Sequence, residues 1–182
     1  MQQDIEIERQ FKLLRPASEI IAEAERNGSL LLSYEIHQSY LAYTGNWTVR
    51  ARKTGFGGRL TPVFSGRRMT PTFEQTLKCR AEGIARTEVS INLDENGYRR
   101  LARQCGPVLW KRRTEISLGD RIWEIDVFLN PALLGLELVE VELPSEDASL
   151  VLPDWVGEET TYLPQYRNAE LAKRLPADEE RQ

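Results

Sequence analysis

Six pairs of ionisable residues recur at i, i+2 spacing: Glu6/Glu8, Arg50/Arg52, Lys78/Arg80, Arg86/Glu88, Lys111/Arg113 and Glu140/Glu142. On an extended strand each pair shares one face. Rows of guanidinium and ammonium groups suit a run of phosphates, with Arg supplying forked donors. Carboxylates repel phosphate, so carboxylates beside basic rows make sense with a divalent cation between them. The single histidine, His37, excludes a multi-histidine centre, and Cys79 and Cys105 have no metal spacing. A metal here would be held by oxygen, which points to magnesium, calcium or manganese. Basic walls and a carboxylate patch together read as a metal–polyphosphate site.

The elements that carry these pairs read as strands. Ile5–Leu13 places Glu6, Glu8, Gln10 and Lys12 on one face and Ile5, Ile7, Phe11 and Leu13 on the other, with Arg9 as the exception. Further strands are expected at Tyr34–Leu41, Trp47–Arg52, Phe73–Arg80, Ala85–Ile91, Val108–Glu115, Arg121–Leu129 and Leu136–Leu143. Gly45-Asn46, Gly83 and Gly119-Asp120 are turn signals. Helices are expected over Pro16–Arg26, after an Asp94 cap through Ala102, over Asp154–Thr161 and over Asn168–Arg174. Thr54–Pro71, rich in Gly, Pro and Arg, reads as a long connection.

Eight strands with short connections suit a mainly β, α+β fold: an antiparallel sheet closed into a barrel with flanking helices. Charged faces turned outward would require an apolar interior. The helices, however, present apolar sides that need a surface to cover. The preferred arrangement turns apolar strand faces outward under the helices and charged faces inward around a wet lumen. Such a lumen must hold ligand, metal or cross-strand ion pairs.

The chain has 182 residues, 41% of them hydrophobic and 29% charged, with a net charge of −4. One domain is expected over residues 1–175, with a polar, disordered tail at 176–182. The negative balance argues against general nucleic-acid binding. No apolar run is long enough to span a bilayer, and no signal-peptide pattern is present, so a cytoplasmic protein with free thiols is expected. A homodimer is an admissible assembly.

Taken in order, these residues resemble the CYTH superfamily, the triphosphate tunnel metalloenzymes. Glu6-Ile7-Glu8-Arg9 followed by Phe11 resembles the family's Glu-x-Glu-x-Lys strand. Ile36-His37-Gln38-Ser39-Tyr40-Leu41, Val49-Arg50-Ala51-Arg52, Thr76-Leu77-Lys78, Arg86-Thr87-Glu88, Lys111 with Arg113, Trp123–Phe128 and Glu140-Val141-Glu142-Leu143 resemble further strands. The ending, from Pro153-Asp154-Trp155 through Tyr166, Asn168 and Leu171, resembles that of the compact bacterial members. The resemblance implies an eight-stranded tunnel and hydrolysis of inorganic triphosphate, or of another triphosphate or polyphosphate, with Mg2+ or Mn2+. It makes Glu6, Glu8, Glu88, Glu140 and Glu142 the metal-binding carboxylates, with Glu140 or Glu142 activating water. It makes Arg50, Arg52, Lys78, Arg86, Lys111 and Arg113 the phosphate-binding residues, with Arg80 beside them.

Gln10 stands where the motif has lysine, and Ser90 where it has a second carboxylate. Lys12, about 7 Å along the strand from Gln10, is a candidate catalytic substitute. Arg80 is another, and a solvated rim position is the alternative for both. The 54–71 connection is also longer than the resemblance implies. These departures keep a second reading open, a polyphosphate or nucleotide sensor with weakened catalysis. A class IV-type adenylyl cyclase or a thiamine triphosphatase stands further off.

Overall fold

The computed structural model describes residues 2–44, 46–55, 70–80 and 85–176, with the side chains of 2–4 and 80 left out. The elements are β1 (Gln2–Leu13), α1 (Ala17–Arg26), β2 (Leu30–Tyr43), β3 (Trp47–Gly55), β4 (Thr72–Arg80), β5 (Ala85–Leu93), α2 (Glu95–Ala102), β6 (Leu109–Leu118), β7 (Arg121–Phe128), β8 (Glu137–Glu142), β9 (Val156–Glu159) and α3 (Asn168–Ala172). All pairings are antiparallel, in the order β5-β4-β3-β2-β6-β7-β8-β1, and β1 pairs with β5 to close an eight-stranded barrel. The 56–69 part of the expected long connection, the turn residues Gly45 and Gly83, and the tail beyond Pro176 lie outside the described residues.

The barrel is turned inside out relative to an ordinary small barrel. Phe11, Ile116, Trp123, Ile125, Val139 and Val141 pack in one cluster with Ala17, Ile20 and Ala24 of α1. Those three helix residues recur at helical spacing, so one stripe of α1 faces the wall. Burying a side chain such as Ile20 or Val139 contributes about 1.5–3 kcal/mol. Pro16 sets the start of α1, and the Glu137 carboxylate accepts from the Ala17 N–H at 2.8 Å. At α2, Asp94 caps by accepting the Gly97 N–H at 2.6 Å. The β6–β7 hairpin turns at Gly119-Asp120, where Gly119 takes φ +62°, a conformation that favours glycine.

The lumen closes at one end. Leu109, Phe128 and Leu138 share the inward face of their strands with the charged rows, and they cluster with Leu171, Ala172 and Leu175. The helical tail from Asn168 therefore docks on an apolar stopper.

Residues 154–161 differ from the expected helix. Val156–Glu159 is a ninth strand, β9, on the edge of β1. The reason lies in the stagger of the barrel. β5 pairs with residues 2–7 of β1 and then runs out, leaving the rest of that edge without a partner. β9 covers it, with the Thr160 N–H donating to Gln10 O at 2.7 Å and the Leu14 N–H to Trp155 O at 2.9 Å. Pro153 and Asp154 open a turn, closed by the Val156 N–H on Pro153 O at 3.1 Å. Arg9, the charge on the apolar face of β1, forks onto Glu159 at 2.9 and 2.6 Å.

Candidate functional site

A cavity of about 510 Å³ runs into the barrel. Glu6, Glu8, Arg50, Arg52, Lys78, Arg86, Glu88, Arg113, Glu140 and Glu142 all line it. They come from six strands and meet because cross-strand partners share a face: Glu8 lies opposite Glu142, Glu6 opposite Arg86, and Lys78 opposite Glu88. Two candidates lie elsewhere. Lys12 bonds Glu158 Oε2 on β9 at 2.7 Å and sits over the Tyr166 ring. Lys111 is fully buried, bonded to Asp126 beside the Phe128 ring at the closed end. The Arg80 side chain lies outside the described residues.

The lining charges are interleaved. Lys78 Nζ bonds Glu6 and meets Glu88 Oε2 at 2.8 Å. Arg86 lies 3.4 Å from Glu8, and Arg52 lies 3.5 Å from Glu74. Arg113 carries the densest set of ion pairs among the lining cations. It forks onto Asp126 at 2.8 and 2.6 Å, reaches Glu140 at 2.5 Å and also bonds Glu124. Burial works to raise the Glu88 carboxyl, but the Lys78 and Arg50 charges outweigh it and bring it down to about 2. Burial likewise opposes ionisation of Glu140, and Lys111 and Arg113 overcome it, so Glu140 titrates below the usual carboxylate range. Burial pushes Glu124 up to about 7 against the Arg113 charge.

Several features leave room for an anion and a cation. Arg50 is 5% exposed, its Nε has no hydrogen-bond partner among the described residues, and its ion pairs to Glu88 and Glu74 are long, at 3.6 and 3.8 Å. The carboxylate of Glu142 is exposed and makes no side-chain hydrogen bond or ion pair among the described residues. Partial burial and the neighbouring Glu6 raise its pKa, and burial raises that of Glu8. The described lining carries eight carboxylates against seven cationic side chains. A polyphosphate adds negative charge to that balance, so a cation bound with it would strengthen its binding. Among the described residues no three carboxylate, histidine or cysteine side chains are already gathered in metal-ligating geometry. The donor set of Glu6, Glu8 and Glu142 nevertheless fits a hard divalent cation, being all oxygen and concentrated on the adjacent strands β1 and β8.

The sequence reading assigned no role to Glu74, Glu124, Tyr40, Arg167 or Lys173, all of which line the cavity. Glu74 shares a face with Thr76 and Lys78, and Glu124 shares one with Asp126, so period two could have placed both. Arg167 and Lys173 flank the short C-terminal helix at its two ends, where no periodic signal marks them.

No family model matches the chain. It is 34% identical to the inorganic triphosphatase of Nitrosomonas europaea over 131 residues, 63% of this chain and 86% of that protein. It is 34% identical to the inorganic triphosphatase of Acetivibrio thermocellus over 100 residues, and this match spans 64% of that relative's length. The crystal structure of the inorganic triphosphatase NE1496 superposes with a TM-score of 0.59 at 30% identity, covering 94% of this chain and 96% of the other. A protein from Pyrococcus horikoshii OT3, 17% identical with a TM-score of 0.53 over 78% of this chain and 80% of its own, shares the fold.

Proposed function

Because this chain belongs to the CYTH superfamily of triphosphate tunnel metalloenzymes, we propose that it hydrolyses inorganic triphosphate to diphosphate and phosphate with Mg2+ or Mn2+. The observation that carries this reading is the convergence of five basic side chains and five carboxylates on one cavity. Arg50, Arg52, Lys78, Arg86 and Arg113 bind and orient the phosphate oxygens. Glu8 and Glu142, with Glu6, would hold the cation. A bound divalent cation neutralises phosphate charge and acidifies a water.

Of the two carboxylates that could take the water's proton, Glu142 is the better placed. It is exposed to water and carries no side-chain hydrogen bond among the described residues, whereas Glu140 is pinned by Arg113 and by the Gln10 amide at 2.9 Å. Glu88 and Glu140 keep the basic rows in place before substrate arrives. Gln10 orients Glu140 where a lysine would have carried charge.

The test is phosphate release from inorganic triphosphate, adenosine triphosphate, thiamine triphosphate and long-chain polyphosphate, each with Mg2+ and with Mn2+. Inorganic triphosphate should be the preferred substrate. Preference for another substrate would keep the chemistry and reassign its target. Tight binding without turnover would favour a sensor. Among the described residues no helix is long and apolar enough to cross a membrane.

A further inference from the structure

Lys111 and Asp126 form the most deeply buried ion pair described, 0% and 1% exposed at their side chains. Asp126 spends both oxygens on two cations. Oδ2 accepts from Lys111 Nζ and from Arg113 Nη2 at 2.6 Å, and Oδ1 accepts from Arg113 Nε at 2.8 Å. Cross-strand pairing explains the triad. Arg113 lies opposite Asp126 in the β6–β7 ladder, and Lys111 lies one inward position further on, opposite Phe128. Of the two cations only Arg113 reaches the cavity.

We infer that Lys111 is not a phosphate contact, and that Lys111 and Asp126 are a positioning pair which holds the Arg113 guanidinium at the cavity wall. This rests on the triphosphatase reading only in making Arg113 a phosphate-facing group. Three features support it. A forked Arg–carboxylate bond fixes both the plane and the direction of the guanidinium. Lys111 cannot reach the cavity without breaking its bond to Asp126 and leaving a buried carboxylate with one cation fewer. The apolar stopper of Leu109, Phe128 and Leu138 lies at its level, and Lys111 has no exposed surface among the described residues at which phosphate could meet it.

The test uses 15N spectra of the lysine Nζ and arginine Nε–H groups, with inorganic triphosphate added in EDTA. In wild type, the Arg113 Nε–H and Lys78 Nζ signals should move on titration while the Lys111 signal stays put. A Lys111 shift as large as that of Lys78 would overturn the inference. Asp126→Asn, or Lys111→Met/Asp126→Asn if the single variant unfolds, should turn the slowly exchanging Arg113 Nε–H signal into a fast-exchanging one. Persistence of slow exchange would equally overturn it. In whichever of these two variants folds, kcat should fall by about tenfold or more with KM little changed, since misdirecting a charged group costs the reacting geometry first. A loss confined to stability, with kcat per folded molecule intact, would reduce the pair to a structural role. If wild type neither binds nor hydrolyses triphosphate, the functional reading fails, and the exchange behaviour of Arg113 still decides whether Asp126 holds it.

Discussion

Gln10 and Glu140 face each other across the β1–β8 ladder, and Gln10 Nε2 donates to Glu140 Oε1 at 2.9 Å. Gln10 Oε1 accepts from Thr160 Oγ1 at 2.9 Å, so both ends of the amide are engaged. In Gln10→Lys an ammonium would bond Glu140 and leave Arg113 Nη2 freer to turn toward phosphate. A charge-assisted hydrogen bond is roughly twice as strong as a neutral one, and about 1.4 kcal/mol gained only in the transition state is worth tenfold. Turnover of inorganic triphosphate is expected to rise severalfold, measured as phosphate release. A fall would mean that the neutral amide is required at this position.

Lys12 should matter little. Its ammonium bonds Glu158 at the surface, away from the cavity. Exposed ion pairs contribute little because water screens them, and Lys12→Ala should leave kcat within about twofold of wild type. A large loss in steady-state assays would return Lys12 to the site.

Two carboxylate variants should part company in stability while sharing a kinetic defect. Glu6→Gln and Glu142→Gln are both expected to lower metal-dependent turnover by tenfold or more, on the scale where about 1.4 kcal/mol of transition-state stabilisation is one decade. Glu6 bonds Lys78, so Glu6→Gln should lower the melting temperature without metal. Glu142 has no such bond among the described residues and is repelled by Glu6, so Glu142→Gln should hold or raise it. Equal destabilisation by both, measured calorimetrically in EDTA, would contradict this assignment of partners.

Much of the lumen was legible because strand parity is simple. A residue two places from an inward arginine also points inward, whatever the twist of the sheet. Arg50, Arg52, Lys78, Arg86 and Arg113 follow from that rule. Parity does not give depth. Lys12 and Lys111 have the right parity, but Lys12 pairs with Leu138 and Lys111 with Phe128, at the level where the lumen closes. That level is set by the stagger of the strands, a long-range property absent from any local window. The same stagger created the uncovered edge that β9 fills. Pro153-Asp154 starts turns as readily as helices, so it could not announce a strand. The misplaced charge of Arg9 was a usable signal, because a cation on an apolar face requires a partner, and Glu159 supplies it.

The β9 clasp should weaken in acid. Hydrogen bonds from Arg9 hold Glu159 below the usual carboxylate range, outweighing its partial burial. A carboxylate with a depressed folded-state pKa contributes its full stability above its unfolded pKa. That contribution disappears as pH falls through the lowered folded value. The difference in urea midpoint between wild type and Arg9→Gln is therefore expected to be present at pH 7 and to shrink below pH 4.5. At neutral pH it corresponds to about 1 kcal/mol or less for a half-buried pair. A difference that does not depend on pH would assign the effect to packing of Arg9 over Phe11 instead.

The most direct measurement is phosphate release from inorganic triphosphate by wild type and Arg50→Ala, in Mg2+, in Mn2+ and in EDTA. Wild type should release one phosphate per triphosphate with at least one of the two cations and none in EDTA. Arg50→Ala should fold, bind the cation and show a sharply lower kcat/KM. No release by wild type with either cation, or equal kcat/KM in the two proteins, would contradict hydrolysis within this cavity.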